Sequence, residues 1–201
     1  MLNFIDITDP NDDLFMPWLD LYETSFPPEE KVLVSSFLWI LKEKAKGTRP
    51  NSHIQAVLDE QDTFVAAIRF DLGKEPGIAY GWYIAVHPNA RNRGIGSECF
   101  NEVVRRASDA GLRAFVFEVE APEHFDDPER QKLARRRIEF YRRQGALLLG
   151  GVRYIQQIIN QPAIPLNIMI KPIEPVTPQE ALEMAQKLFD NVTQVGELTL
   201  G

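Results

Sequence analysis

Tyr80-Gly81-Trp82-Tyr83-Ile84-Ala85-Val86-His87-Pro88-Asn89-Ala90-Arg91-Asn92-Arg93-Gly94-Ile95-Gly96-Ser97 is the stretch from which the rest of the chain can be read. Ile78 to Val86 is rich in aromatic and β-branched residues and closes on His87-Pro88, which predicts a strand and its end. From Gly94 to Ala110, the residues Ile95, Cys99, Phe100, Val103, Val104 and Ala107 recur at helical spacing. A strand therefore runs through a short polar turn into a helix. The first turn of a helix has N–H groups without intrahelical acceptors, and the aligned peptide dipoles make it partly positive. Glycines let the backbone come close to a bulky anion. Such a turn is a site for a phosphate or pyrophosphate, to which Arg91 and Arg93 would add charge. The alternative reading of the same residues is a structural turn with two solvated arginines. Two other phosphate loops are excluded. The dinucleotide fingerprint needs a third glycine where Cys99 stands, and no Lys-Ser/Thr pair of a P-loop follows.

Outward from this stretch the pattern is regular. Upstream lie a short strand at Phe4–Ile7, helices over about 13–24 and 29–46, and strands at Ile54–Leu58 and Thr63–Leu72. Gln61-Asp62 and the segment from Gly73 to Gly77 supply turns. Downstream come a strand at Leu112–Val119, a helix at Glu129–Gln144 and strands at Ala146–Gly150 and Pro165–Ile170. A last helix spans about 178–190. Strands first, then strands alternating with helices, predict a mixed sheet flanked by helices, of α/β (α+β) class.

Composition narrows the function. The chain has 201 residues, of which 44% are apolar and 25% charged, as in ordinary globular proteins. A chain of this length buries about 70% of its unfolded surface and needs no metal or disulfide to hold it together. The 22 Lys plus Arg against 29 Asp plus Glu give a charge of −7. That balance argues against general nucleic-acid binding and favours a cationic small molecule as guest. Cys99 stands alone, so no internal disulfide or cysteine metal cluster is expected. The first residues, Met1 to Asp6, carry no signal-peptide pattern. The longest uncharged stretch, Tyr154 to Ile170, holds Pro162 and Pro165 and would span a membrane poorly. The expectation is a cytoplasmic protein with no membrane or nucleic-acid partner.

At two places the sequence resembles the GNAT superfamily of N-acetyltransferases. Arg91-x-x-Gly94-x-Gly96, after a strand ending in Val86-His87-Pro88, is similar to that family's acyl-CoA pyrophosphate signature. Arg137-Ile138-Glu139-Phe140-Tyr141-Arg142-Arg143-Gln144-Gly145-Ala146 resembles its helix ending in Phe/Leu-Tyr-x-x-x-Gly-Phe. The resemblance implies the acyl-CoA N-acyltransferase fold, with a mostly antiparallel sheet of about seven strands. It assigns residues 1–172 to the acetyltransferase domain. Residues 173–201 match nothing in the family and read as a helical extension, packed on the domain or on a partner subunit, a second copy of the chain. The resemblance implies acetyl-CoA as cosubstrate and a primary amine as acceptor. A small polyamine, an amino acid, an aminoglycoside or a protein N-terminus would all fit. A cationic small-molecule amine is the expectation from the net acidity, and no metal is expected. Backbone groups of Ile84, Ala85 and Val86 would pair with the pantetheine arm. The N–H groups of Arg91, Asn92, Arg93, Gly94, Ile95, Gly96 and Ser97 would cradle the pyrophosphate. An N–H near Ile84 or Ala85 would face the thioester oxygen.

Within that frame Tyr141 is the candidate general acid, since a phenol of pKa near 10 keeps its proton at neutral pH. Glu118 and Glu120, two apart at a strand end, share a face and are the candidate bases. Some relatives carry a glutamate on the strand before the pyrophosphate turn; here no acid lies between Ile78 and Val86. That departure keeps a non-catalytic acyl-CoA-binding module as the alternative, beside a transferase for a longer acyl-CoA. The remaining polar candidates read more plainly. His53, His87 and His124 have no ligand spacing, and His87 is expected to cap the strand end. Asp20, Glu23, Glu29 and Glu30 lie where the family often builds its acceptor site. Arg135–Arg137 with Arg142 and Arg143 form a solvated face or approach the adenosine 3′-phosphate.

Overall fold

Eight strands hydrogen-bond in the order β1-β2-β3-β4-β5-β7-β6-β8 in the computed structural model, which describes residues 1–75, 77–158 and 161–201. They are β1 Asn3–Asp6, β2 Ser52–Leu58, β3 Phe64–Glu75, β4 Ile78–Val86, β5 Ala114–Glu120, β6 Leu147–Gln156, β7 Ile164–Pro172 and β8 Thr193–Leu200. The helices are α1 Phe15–Ser25, α2 Val34–Ala45, α3 Ile95–Asp109, α4 Pro128–Arg143 and α5 Pro178–Leu188. The pairs β1–β2, β2–β3, β5–β7, β6–β7 and β6–β8 are antiparallel. The expected mixed, mostly antiparallel sheet flanked by helices is therefore present, with one strand more than the seven expected. Of the expected turn from Gly73 to Gly77, Pro76 lies outside the described residues. The chain forms two compact units, Met1–Leu72 with Gly81–Val103, and Gly73–Tyr80 with Val104–Gly201.

In the first unit α1 and α2 cover one face of β2 and β3. Phe15, Trp18, Leu21 and Tyr22 of α1 and Phe37, Ile40 and Leu41 of α2 bury against Ile54, Ala56, Ala67, Tyr83 and Ala85. Trp18 and Tyr22 stack at 5.7 Å, and Phe37 and Tyr83 meet Tyr22 edge-on at 4.8 Å. Such pairs add about 0.5–1.5 kcal/mol each beyond the area they bury. The second helix starts later than the 29–46 expected from periodicity. Pro28–Glu30 is a single 3₁₀ turn, and helical geometry begins at Val34. The cause is two buried phenols. The Tyr22 hydroxyl donates to the Val32 carbonyl (2.9 Å), the Tyr83 hydroxyl donates to the Glu30 carbonyl (2.8 Å), and the Val32 N–H donates to the Tyr83 oxygen (3.2 Å). Those bonds take the backbone groups a helix would have used.

The second unit is built on β5, β7, β6 and β8. Residues 173–201 supply α5 and also β8, so the segment expected to be helical is helix and strand. The helix starts on a capping box: Thr177 accepts from the Glu180 N–H while Glu180 accepts from the Thr177 N–H. Arg113, just before β5, binds Glu174 and Glu180 at 3.2 and 2.9 Å. The backbone bonds from Thr177, with Arg113 beside it, hold the Glu180 carboxyl down to about 2. Ala181, Leu182, Met184, Ala185 and Leu188 of α5 are buried.

Strand β8 gave no alternating signal because its first five residues are exposed. It is held by its ladder to β6, whose register shifts between Gly150 and Val152. Gly151 sits there at φ +77°, and a Cβ on it would lie 2.0 Å from the Glu197 carbonyl oxygen. Left-handed backbone and a clash with main chain both oppose a side chain. Gly151→Ala is expected to cost about 2 kcal/mol, a fall in Tm of roughly 4–8 °C, readable by calorimetry.

Candidate active site

The turn after β4 belongs to the first unit. The His87 N–H donates to the Val65 carbonyl (2.9 Å), and His87 Nδ1 accepts from the Asn89 N–H (3.4 Å), so the imidazole caps the turn as expected. Arg91 folds back, its Nε donating to the Val86 carbonyl (3.1 Å). Asn92 at φ +61° and Gly94 at φ +81° reverse the chain into α3. Asparagine and glycine are the residues that occupy this region at least cost. Ser97 N–H and Glu98 N–H both donate to the Gly94 carbonyl, at 2.9 and 3.1 Å. The N–H groups of Asn92, Arg93, Gly94, Ile95 and Gly96 have no backbone acceptor among the described residues. Arg91 to Gly94 are solvent-exposed, and no side-chain atom would meet a Cβ at Gly94 within 4 Å. An open row of backbone donors at a helix start, flanked by two guanidinium groups, fits a pyrophosphate. Arg93 lies 3.8 Å from Asp59, a loose pair that leaves its other donors available.

In the second unit the three expected catalytic side chains separate. Tyr141 packs on Phe117 with ring centroids 4.6 Å apart. Phe117 and Glu118 are successive residues of β5 and point to opposite faces. Tyr141 and Glu118 therefore stand on opposite sides of the strand. Burial pushes the Tyr141 phenol up, more than the nearby Arg137 charge draws it down. Glu118 accepts from the Tyr80 hydroxyl (2.7 Å), the Tyr154 hydroxyl (3.1 Å) and the Gln156 amide (3.3 Å). Phe189, just after α5, packs on both phenols, at 5.3 Å from Tyr80 and 4.9 Å from Tyr154. Burial raises the Tyr154 phenol, and the Glu118 charge raises it further. Glu120 instead pairs with Arg137 of α4 at 2.6 Å. The two glutamates share a face of β5 but not a partner.

Sequence reasoning missed Tyr80, Tyr154 and Gln156, which come from other strands and meet Glu118 only through the sheet. It also missed a buried cluster in the first unit, where Asp71 binds Arg69, Ser52 and Trp82. The other candidates behave as ordinary side chains. Cys99 is fully buried, and burial pushes its thiol up to about 12, which makes it a poor nucleophile. Glu23 pairs with Lys31, while Glu29 and Glu30 are half-buried and Asp20 is exposed. Arg142 pairs with Glu139, and Arg135 donates to Gln131. Among the described residues no group of three His, Cys, Asp or Glu could hold a metal, and no helix is long and apolar enough to cross a membrane.

The profile of the acetyltransferase (GNAT) family matches residues 15–146, more than half of the chain. No curated protein matches by sequence. Among solved structures, one from Bacteroides thetaiotaomicron, described as an acetyltransferase from the GNAT family, is 23% identical with a TM-score of 0.72; 92% of this chain and 95% of that one are covered. An aminoglycoside 6′-N-acetyltransferase in complex with coenzyme A is 19% identical with a TM-score of 0.58, covering 87% of this chain and 99% of that one. A GNAT family acetyltransferase from Elizabethkingia anophelis with acetyl-CoA bound is 11% identical with a TM-score of 0.57, covering 86% and 98%. At these identities the structures share the fold. The profile match does more, and by it this chain belongs to the GNAT family of acetyltransferases.

Proposed function

We propose that the chain moves an acetyl group from acetyl-CoA to a primary amine of a small, cationic acceptor. The observation that carries this reading is the row of N–H groups from Asn92 to Gly96 at the start of α3, which have no backbone acceptor among the described residues. Those groups, with Arg91, Arg93 and Ser97, would hold the pyrophosphate. Ile84, Ala85 and Val86 would pair with the pantetheine arm. The cosubstrate supplies an activated acyl group on a thioester. In the transfer, the amine nitrogen bonds to the acetyl carbon and the carbon–sulfur bond breaks. Tyr141 gives its proton to the leaving sulfur. Glu118, on the face of β5 opposite Tyr141, takes the proton of the amine through a water chain; its partners are neutral donors that can turn aside, whereas Glu120 is tied to a guanidinium. Residues 1–172 form the catalytic domain and 173–201 its extension. A lone buried cysteine suits the cytoplasm.

Both glutamates have protein partners, which favours a second reading, an acyl-CoA-binding module without turnover. Calorimetry and a turnover screen separate the two. Coenzyme A should bind, and pantetheine, which lacks the pyrophosphate, should bind roughly 10- to 100-fold more weakly, one or two charge-assisted hydrogen bonds' worth. Equal affinities would remove the pyrophosphate site. Release of free thiol from acetyl-CoA with any member of a panel of polyamines, amino acids and aminoglycosides supports the transferase. Saturable acetyl-CoA binding with no release on any amine supports the module, and turnover only with longer acyl-CoA thioesters would change the donor.

A further inference from the structure

In a regular strand, successive side chains point to opposite faces. In β4, Trp82 and Tyr83 do not. Tyr83 belongs to the aromatic cluster under α1 and α2, and Trp82 packs against the same cluster. Each is fastened there by polar bonds. The Tyr83 hydroxyl is held between the Glu30 carbonyl and the Val32 N–H. The Trp82 indole Nε1 donates to Asp71 Oδ2 at 2.7 Å. Asp71 is itself fixed. Arg69 binds it through two nitrogens, at 2.9 and 3.2 Å, and Ser52 Oγ donates to it at 2.7 Å. The Arg69 guanidinium also lies 5.1 Å from the Trp82 ring centroid. Arg69 and Asp71 are 3% and 6% exposed. Burying such a pair costs desolvation that an apolar pair would not, so its retention asks for a specific task.

Two neighbours on one face break the alternation of β4 as a bulge does, and a bulge leaves a backbone N–H outside the ladder. We infer that Asp71, held by Arg69 and Ser52, is a positioning residue: by gripping the Trp82 indole it sets this bulge and thereby aims the N–H of Ile84 or Ala85 at the thioester oxygen. The inference rests on the acetyl-CoA reading and adds to it the device that orients the donor. A donor placed where charge develops contributes more than one that must reorient.

The test is the carbonyl stretch of acetyl-CoA, carbon-13-labelled at the thioester carbonyl, in infrared difference spectra of the full chain. Bound to the wild type, the band should move to lower frequency than in water. Trp82→Phe keeps a ring over Arg69 but loses the donor. It should lose at least half of that shift while acetyl-CoA affinity stays within about twofold, because the pyrophosphate turn is untouched. If Trp82→Phe does not fold, 3-benzothienylalanine incorporated at position 82 removes the N–H at the same shape, and the same loss is expected. A full shift retained in a folded variant of either kind overturns the inference and leaves the cofactor reading standing. Failure of the wild type to bind acetyl-CoA overturns both.

Discussion

Tyr141→Phe is expected to lower kcat by roughly 10²–10⁴-fold while coenzyme A affinity stays within about twofold, the signature of a lost general acid. The ring that packs on Phe117 at 4.6 Å and on Phe140 at 5.1 Å survives the change, so α4 keeps its seat on β5. Only the hydroxyl is removed. The pH profile gives a second reading of the same group. An acid works in its protonated form, and activity is lost as pH rises through its pKa. Burial raises the Tyr141 phenol above its ordinary value near 10, so this group brings no alkaline fall in kcat up to pH 9. Stopped assays with an acceptor found in the amine panel measure both. Unchanged turnover in Tyr141→Phe would take the role away from Tyr141, whereas an alkaline limb near pH 8 that the substitution abolishes would keep the role and overturn the raised phenol.

What the sequence made legible is what local chemistry requires. The turn from His87 to Ser97 could be read because a helix start, two glycines and two arginines within one short segment have few other uses, and the structure has an open donor row there. Tyr141 could be placed on a helix closed by Gly145, which adopts φ +77°. The rest depended on distance in sequence. Tyr80 and Tyr154 reach Glu118 across 38 and 36 residues, and only the pairing of the strands brings them together. The late start of α2 came from two phenols, Tyr22 and Tyr83, that outbid helical periodicity for the backbone of residues 30–32. Strand β8 was silent because an edge strand with exposed side chains has no apolar face to announce it. The paired facing of Trp82 and Tyr83 was hidden for the opposite reason. Both are aromatic, so an ordinary strand reading accommodates either one facing inward.

Asp71→Ala is expected to destabilise the fold by about 3–5 kcal/mol, because it leaves the Arg69 guanidinium buried without its counter-charge. The two groups are 6% and 3% exposed, so water cannot replace the lost partner, and the Ser52 hydroxyl and Trp82 indole lose their acceptor as well. Burial by itself would raise the Asp71 carboxyl; the Arg69 charge and hydrogen bonds, with those of Ser52 and Trp82, outweigh it and hold the group below its ordinary value. That direction fixes the pH dependence. A carboxylate whose folded pKa is depressed contributes stability above the unfolded value of about 3.9, and the contribution is lost as pH falls through the folded value. The gap between wild type and Asp71→Ala in urea unfolding should thus be constant from pH 7 to about 5 and close progressively below about pH 4. A variant with Asp71→Leu and Arg69→Met, which removes both charges, should recover most of the loss in stability. It should not recover the thioester band shift, because no acceptor remains for the Trp82 indole. Stability and carbonyl polarisation then part company in one protein, which separates a pair that merely holds the core from one that also sets the strand.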